Sequence, residues 1–520
     1  WFGGPEVTHD GKGHLKRREE IDGIILAEGE ESFKELLDYY NKDNISLNEV
    51  KGIVFRESAK KECNIRDSKT LNNIFSTKAR PILDFSKVPF AYKDFFNKDR
   101  LEGEASNFSH KIIYYETSRG CPFSCSYCLS SVDKKIRLRD LDLVKKELDL
   151  FLFHKVKQVK FIDRTFNCNK EHALAIWNYI KDKDNGITNF HFEIAADLLD
   201  EEQIQVMNSM RVGLIQLEIG VQSTNPVTLK AIRRKTNFDK ISKNVKKVYE
   251  TRKVHQHLDL IAGLPYEDYK SFRDSFNDVY LLRPDQLQLG FLKVLKGSPM
   301  YDESEKYGIV YKDIPPYEVL YTKWLTYKDV IKLKMVEEMV EVYYNSGQFV
   351  NSIMFMEHFF DSPFDLYKEL GNYYINKDLL LIKHSRIRRY EILLDFMMTK
   401  TKEIEAFKEI LLFDLYLREG LKSRPTFALN KDKGDYDHKE IYRSFYKDED
   451  MIFKYLGIKN KKFGLGKGKQ FFHIEYFTID IERSVKEGRP VHQPQFVIFN
   501  YMKRNPLNHD ADTKKIVELS

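Results

Sequence analysis

The sequence has few cysteines, no long apolar runs and little net charge, and each shortage excludes a class of protein. Five cysteines in 520 residues are too few for a disulfide-stabilised secreted scaffold and favour a reducing, cytoplasmic compartment. No apolar run approaches the roughly 20 residues that span a bilayer, so we expect no membrane contact. The formal net charge of +6 is spread along the chain without a basic arm, so nothing indicates nucleic-acid binding.

The composition that remains is typical of a globular protein with more than one domain. The chain is 42% hydrophobic and 32% charged, and its length predicts two or three domains. It begins with Trp1-Phe-Gly-Gly-Pro-Glu-Val, which is typical of a strand end that enters a tight turn. No charged segment or small-residue cleavage site indicates a signal peptide, and we expect that the first part of a domain is absent from this sequence.

Three of the five cysteines stand close together behind a short apolar run. Cys121, Cys125 and Cys128 have the spacing C-x3-C-x2-C and follow Ile112-Ile-Tyr-Tyr. Three thiolates on one loop can hold three irons of a cubane cluster, whereas a conventional cluster takes four cysteines. The fourth iron would therefore be open to a ligand that the protein does not supply.

Structural zinc is the alternative for these cysteines. It requires four closed ligands, usually completed by a second C-x2-C or H-x3-5-H pair. Cys63 and Cys168 are isolated and no such pair follows, which favours the cluster. A single cysteine such as Cys168 is more often a bystander than a nucleophile, and Cys63 stands among charged residues as an ordinary surface cysteine.

Strand and helix patterns alternate from residue 111 to about 300, which predicts an α/β fold with a parallel sheet. The strand candidates are 111–116, 157–162, 190–195, 214–219, 256–261 and 286–292. The helical patterns between them repeat apolar residues with the i, i+3, i+4, i+7 spacing of one buried face. Sites in such folds lie at the carboxyl ends of the strands, where the cysteine loop follows the first strand.

The cysteine spacing, with Tyr127 just before the last cysteine, resembles the signature of the radical S-adenosylmethionine (radical SAM) enzymes. The resemblance implies a partial (β/α)6 TIM-like barrel and a 4Fe–4S cluster on Cys121, Cys125 and Cys128. It also implies that SAM binds the open iron and is cleaved by one electron to a 5′-deoxyadenosyl radical. The electron would come from a donor such as flavodoxin or ferredoxin, and the substrate is unknown.

Motifs at later strand ends support the resemblance. They include Phe192-Glu-Ile, Glu218-Ile-Gly-Val-Gln-Ser and Leu258-Asp-Leu-Ile-Ala-Gly-Leu-Pro. The SAM contacts that the resemblance implies are Tyr127, Glu193, Gln222, Ser223, Arg234 and Asp259, with the choice between Arg233 and Arg234 left open. An acidic residue suits the SAM ammonium, arginine pairs with its carboxylate, and glutamine or aspartate can bond its hydroxyls.

A substrate-facing loop is predicted after the second strand. Its sequence Phe161-Ile-Asp-Arg-Thr-Phe-Asn resembles the F-x-D-x-T-F loop of the family. Asp163 and Arg164 are therefore the candidates for substrate contact, by position only, and no residue is identified as catalytic.

Residues 1–42 resemble the closing part of the Rossmann-like cobalamin-binding domain that precedes many radical SAM barrels. In that family the glycine pair, here Gly3 and Gly4, borders the nucleotide tail of the corrinoid. Most of the pocket would lie outside this sequence, so binding of cobalamin by this chain is left open. A helix is predicted from about Ser32. One face of that helix would carry Phe33, Leu36, Leu37 and Tyr40.

The predicted order of domains follows from these patterns. It comprises the cobalamin-domain remnant (1–42), a linker (43–110), the barrel (111–300), a helical connector (301–346) and an α+β C-terminal domain (347–520). The last resembles the domain of unknown function found in cobalamin-type radical SAM proteins. Its strand candidates are 471–480 and 495–501, and His473 and His492 are expected to be structural.

If a corrinoid is present, the resemblance implies methyl transfer to an unactivated carbon, with ring rearrangement or cyclisation as the alternative. A methylthiotransferase-like RNA-modifying enzyme of the same superfamily would normally show a second N-terminal cysteine set and a small basic C-terminal barrel. Neither is visible in the sequence. A non-catalytic iron–sulfur or zinc protein would not explain the strand-end residues.

Overall fold

A computed structural model describes residues 1–41, 45–60, 68–94, 111–421, 423–428, 445, 447–457 and 471–516. They divide into two compact units. The first unit comprises Trp1–Thr188, Lys230–Lys235 and Leu292–Val319, and the second comprises Asn189–Leu229, Thr236–Phe291 and Leu320–Ser520. Cys63 and the charged stretch 431–437 lie outside the described residues.

The helices and strands have the following bounds. The helices are α1 (Pro5–Thr8), α2 (Gly11–Arg17), α3 (Glu30–Asn41), α4 (Ser68–Asn72), α5 (Leu141–Phe153), α6 (Lys170–Asp182), α7 (Glu201–Ser209), α8 (Pro226–Ala231), α9 (Phe238–Tyr249), α10 (Tyr269–Tyr280), α11 (Pro299–Asp302), α12 (Tyr327–Val340), α13 (Val350–Met356), α14 (Pro363–Asn376), α15 (Arg386–Met397), α16 (Ile404–Arg418), α17 (Glu449–Leu456) and α18 (Ile481–Glu487). The strands are β1 (Gly23–Ile25), β2 (Ile53–Arg56), β3 (Ile74–Ser76), β4 (Ile112–Tyr115), β5 (Ser118–Arg119), β6 (Arg137–Leu138), β7 (Gln158–Phe161), β8 (Asn189–Ile194), β9 (Ile215–Gln222), β10 (His255–Ala262), β11 (Gln286–Phe291), β12 (Val310–Tyr311), β13 (Val319–Tyr321), β14 (Phe472–Phe477), β15 (Gln495–Arg504) and β16 (Ala511–Ile516).

The central element is a six-stranded parallel sheet with the order β11-β10-β9-β8-β7-β4. β4 pairs with β7 in the first unit, and β8 to β11 pair in succession in the second. All six predicted strands are present, and a helix follows each of the first five. The prediction of an α/β fold with six parallel strands is therefore confirmed. β4 and β11 form the two edges of this sheet.

Period-2 alternation explains why these segments form strands. On β9 the apolar side chains Ile215, Leu217 and Ile219 are buried, because they point to the face that the helices cover. The intervening Glu218 and Gln222 are only partly buried and point to the opposite face. That polar face is the one that can receive a ligand.

The N-terminal part of the first unit departs from the predicted linker. β1, β2 and β3 form an antiparallel sheet in that order, and Phe2 forms a parallel bridge beside β1. Residues 53–60 and 68–76 therefore belong to this small α+β layer, and placing all of 43–110 in a linker was wrong. The extended segment 77–84 is the connecting part that the structure describes.

Helix α3 packs against this sheet with a different face from the one predicted. Of the four side chains assigned to one face, only Leu36 is buried, together with Tyr39 from the neighbouring row. Phe33, Leu37 and Tyr40 are each about half exposed. The core instead closes around Leu36, Tyr39 and the β2 residue Phe55.

The predicted helical connector over 301–346 is also corrected. The segment holds two short strands, β12 and β13, before α12 begins at Tyr327. Pro315 and Pro316 lack the backbone N–H that a helix interior needs, and the Thr326 side chain caps the first turn of α12. The long helix of this segment therefore covers only Tyr327–Val340.

The C-terminal part of the second unit is helical up to α16 and then forms an antiparallel sheet. β14 pairs with β15 as predicted, and β16, which was not predicted, completes the sheet. His473 stacks on Tyr416 with 4.0 Å between ring centroids, which agrees with a structural role, and His492 is exposed. Among the described helices, none is both long and apolar enough to cross a bilayer.

Candidate active site

The cysteine loop leaves the carboxyl end of β4 in the first unit. It turns at Gly120, whose φ of +98° suits glycine, and a Cβ there would lie 2.5 Å from the Lys135 carbonyl oxygen. The Cys121 amide donates to the carbonyl oxygen of Asp133 at 2.9 Å. Only glycine fits this turn. The start of the loop is thereby held against Asp133 and Lys135, which follow the three cysteines.

Asp163 is hydrogen-bonded to the start of this loop. It is fully buried and accepts hydrogen bonds from the Thr117 amide (3.0 Å) and the Thr117 hydroxyl (2.7 Å). Burial raises the pKa of Asp163 to about 6, although hydrogen bonds from Ser118 and Thr117 oppose the rise. The Asp163 carboxylate thus holds the start of the cysteine loop, and its contact with a substrate stays a prediction. Arg164 is exposed.

The three predicted iron ligands are brought together in the loop. Cys121 and Cys125 are buried and Cys128 is half-buried. Burial raises the pKa of the Cys121 thiol, and the nearby Cys128 and Cys125 raise it further. The Cys121 Sγ lies 3.7 Å from the Thr165 hydroxyl. Burial also raises the pKa of Cys168 to about 11, so that thiol is protonated and unreactive at neutral pH.

The donor set fits an iron–sulfur cluster. Three thiols lie on one loop beside a guanidinium, which suits an anionic group bound through cysteine. Within the described ranges, no group of three or more His, Cys, Asp or Glu side chains meets at metal-binding distance. In a cubane cluster each thiolate binds a different iron, so the sulfur atoms surround a volume and do not meet at one point.

Arg234 is the arginine that reaches the cysteine loop. Its Nη1 lies 3.7 Å from the Cys125 Sγ and 3.4 Å from the Tyr127 hydroxyl. Arg233 turns away and pairs with Glu303. Burial raises the pKa of Tyr127, so its hydroxyl is protonated. The geometry therefore favours Arg234 over Arg233 as the side chain beside the predicted cluster.

In the second unit, polar side chains fill one face of neighbouring strands. The residues on this face include His191, Glu193, Gln216, Glu218, His257 and Asp259. His191 Nε2 lies 3.0 Å from Glu218 Oε2, and His257 Nε2 lies 3.0 Å from Asp259 Oδ1. The predicted SAM residues Glu193 and Asp259 thus share a face with two histidines that the motifs missed. The strand alternation was the signal that would have found them.

Gln222 is the last residue of β9 and Ser223 follows it, and the two side chains have different surroundings. Gln222 has a φ of +73°, and its Oε1 is buried without a hydrogen-bond partner in the part of the chain that the structure describes. A polar ligand would satisfy this oxygen. The buried Ser223 instead donates to Glu267 Oε1 at 2.5 Å, so its hydroxyl is already used within the protein. Glu267 was missed because it lies outside the recognised motif.

Glu267 should make the stability of the protein depend on pH. It is 1% exposed, and burial raises its pKa from the ordinary 4.5 to about 7, against the hydrogen bonds of Ser223 and Ser275. The folded protein therefore retains a proton that the unfolded chain releases, so this contribution to stability is lost as pH rises from about 4.5 through about 7. We expect Glu267→Gln to be more stable than wild type at pH 8 by roughly 2 kcal/mol.

Urea denaturation at pH 5 and pH 8 measures this effect. The difference between Glu267→Gln and wild type should be small at pH 5, where the native side chain is neutral, and appear at pH 8. The exposed Glu250 supplies the control, because Glu250→Gln should leave the stability difference the same at both pH values. An equal effect of Glu267→Gln at both pH values would show that its charge is irrelevant.

A cavity of about 650 Å³ lies within the first unit. Its walls bring the predicted glycine pair together with the cysteine loop and Arg164. The residues that line it include Gly3, Gly4, Ser118, Gly120, Ser130 and Arg164. Gly4 has a φ of +98° and no atom lies within 4 Å of the position that a Cβ would take, so the backbone is accessible at this wall.

Family comparisons agree with the cysteine loop and the sheet. Residues 115–279 match the Radical SAM superfamily. The chain contains a radical SAM domain. Residues 305–499 of this radical SAM protein match a second family, described as a protein of unknown function (DUF4080). The predicted C-terminal domain of that kind is confirmed, and the match begins at residue 305, earlier than the predicted boundary at 347.

Two curated relatives of the radical SAM protein are methyltransferases by name. It is 27% identical over 236 residues to an uncharacterized methyltransferase of Pyrococcus horikoshii, covering 44% of this chain and 47% of the relative. It is 23% identical over 330 residues to the cobalamin-dependent radical SAM methyltransferase TokK of Streptomyces tokunonensis, covering 59% of this chain and 44% of TokK. The chain therefore spans less than half the length of these relatives.

One solved structure that this chain resembles is that of the radical SAM methyltransferase TsrM from Kitasatospora setae, with cobalamin and a 4Fe–4S cluster bound. The two share 15% identity with a TM-score of 0.47, over 61% of this chain and 62% of TsrM.

Proposed function

We propose that this chain acts as a cytoplasmic radical SAM enzyme that transfers a methyl group in a cobalamin-dependent reaction. The observation that carries the proposal is the loop with three neighbouring thiols, flanked by the Arg234 guanidinium. A cluster held by three cysteines has one iron available for SAM, and its reduction supplies the electron that cleaves the SAM sulfonium.

The chain's own residues have separate tasks in this proposal. Cys121, Cys125 and Cys128 hold the cluster. Arg234 pairs with the carboxylate of SAM, because a guanidinium binds carboxylates through paired N–H donors. The polar-face residues orient the rest of the molecule: the Gln222 amide bonds a hydroxyl, and Glu193 and Asp259 face the ammonium and ribose. Arg164 lies at the cavity wall and contacts the substrate.

Cobalamin dependence is supported by two observations. Gly3 and Gly4 line the cavity that the cysteine loop also borders, and a relative is named as a cobalamin-dependent methyltransferase. Ring rearrangement or cyclisation is the alternative outcome of the same radical chemistry. An acidic electron donor such as flavodoxin or ferredoxin would supply the reducing equivalent.

Labelled SAM tests the proposal. The anaerobically reconstituted protein is incubated with hydroxocobalamin, a reductant and SAM that carries a deuterated methyl group. We expect retention of the corrinoid through gel filtration and formation of S-adenosylhomocysteine, which marks loss of the methyl group. Formation of 5′-deoxyadenosine without S-adenosylhomocysteine would contradict methyl transfer and favour rearrangement.

A further inference from the structure

We propose that Glu28 is a positioning residue for the iron–sulfur loop, although it lies 91 positions before Arg119 in the sequence. Its carboxylate joins two arginines that face each other where the loop begins and ends. The proposal rests on the proposed function, because it concerns the geometry in which the three cysteines hold a cluster.

The cysteine loop is closed by a two-residue antiparallel ladder. β5 precedes Cys121, β6 follows the loop, and Arg119 is directly opposite Arg137 in this ladder. Like charges at opposed positions of two strands repel each other and destabilise the pair. The ladder therefore needs a negative group between the two guanidinium groups if the loop is to remain closed.

Glu28 supplies that group with a single carboxylate oxygen. Its Oε1 accepts from Arg119 Nη1 at 3.0 Å and from Arg137 Nη1 at 2.6 Å. Its Oε2 accepts from the Leu83 amide at 3.2 Å. The Glu28 carboxylate thus connects both strands of the ladder to the segment around Leu83.

The remaining contacts make the arrangement specific for arginine. Arg119 also donates to both carboxylate oxygens of Glu116, at 3.0 and 2.8 Å, and to Glu30 at 2.8 Å. Arg137 donates to Asp133 at 2.5 Å, and its side chain is 9% exposed. A lysine cannot reproduce these directions, because its ammonium has three donors on one atom.

Loss of Glu28 should open the ladder and weaken retention of the cluster. The protein is reconstituted anaerobically with iron and sulfide, and the loss of iron to a chelator is followed. We expect Glu28→Ala to lose iron about tenfold faster than wild type, as expected when a partly buried ion pair is broken. Its reduced cluster should also show an altered electron paramagnetic resonance spectrum. Glu31→Gln, two residues after Gly29, is the matched control and should behave as wild type.

A second substitution separates positioning from general destabilisation. If repulsion between the arginines opens the ladder, Glu28→Ala combined with Arg137→Gln should lose iron more slowly than Glu28→Ala alone. A merely structural role would give additive losses, and that result would overturn the proposal. It would also be overturned if Glu28→Ala retained iron and kept the wild-type spectrum. Wild-type protein that takes up no cluster would refute the proposed function itself and this inference with it.

Discussion

Replacement of Cys125 with alanine is expected to remove the cluster and, with it, all cleavage of SAM. Cys125 is buried and its Sγ lies 3.7 Å from Arg234 Nη1. Two remaining thiolates cannot hold three irons of a cubane cluster, so we expect iron content and the visible absorption of the reconstituted protein to fall to background. Iron analysis after anaerobic gel filtration measures the change.

Cys168 provides the matched control for this prediction. Its thiol is half-buried in the loop after β7 and is protonated at neutral pH. Cys168→Ala should therefore retain iron at the wild-type level. An equal loss of iron in both variants would contradict the assignment of Cys121, Cys125 and Cys128 as the complete ligand set.

Replacement of Glu147 with alanine is expected to lower the free energy of unfolding by about 3 to 5 kcal/mol. Glu147 accepts from Arg139 at 2.6 and 2.9 Å and from the Tyr115 hydroxyl at 2.6 Å. The side chains of Arg139 and Glu147 are 6% and 8% exposed. Removing the carboxylate would therefore leave a buried guanidinium without its counter-charge.

The effect should extend to the segment before β4. Arg139 also donates to the Phe85 and Val88 carbonyl oxygens, both at 3.0 Å, so a displaced Arg139 would release that segment as well. Urea denaturation measures the loss. Glu147→Gln should lose less, because its amide oxygen can still accept, and the exposed Glu171→Ala should change stability little. A loss below about 1 kcal/mol for Glu147→Ala would mean that the pair contributes no more than a surface ion pair.

Much of the six-stranded sheet and its helices could be predicted, because the sequence patterns that indicate them are local. Alternation on β9 and helical spacing on α9 each lie within one segment, and the cysteine motif lies within one loop. The six parallel strands therefore appear at the predicted places. The small N-terminal sheet could not be predicted, because β1 pairs with β2 about 30 residues further along the chain and neither strand shows long alternation.

The sequence predicted where the site residues lie along the chain, but it did not predict which side chains they contact. Motifs identified Asp163, yet its burial against Thr117 depends on where β7 lies beside β4. The ion pairs of Glu28 with Arg119 and Arg137 join residues of three separate segments, and no periodicity relates them. The polar face with His191 and His257 is visible in the sequence as strand alternation, but the family motifs do not include these two histidines.

The central claim is that three cysteines hold a cluster that cleaves SAM. Its most direct test is chromatographic measurement of 5′-deoxyadenosine after the reconstituted protein is reduced with dithionite in the presence of SAM. We expect 5′-deoxyadenosine from the wild-type chain only when reductant is present, and none from Cys125→Ala. Wild-type protein with a full complement of cluster iron that releases no 5′-deoxyadenosine would contradict the claim.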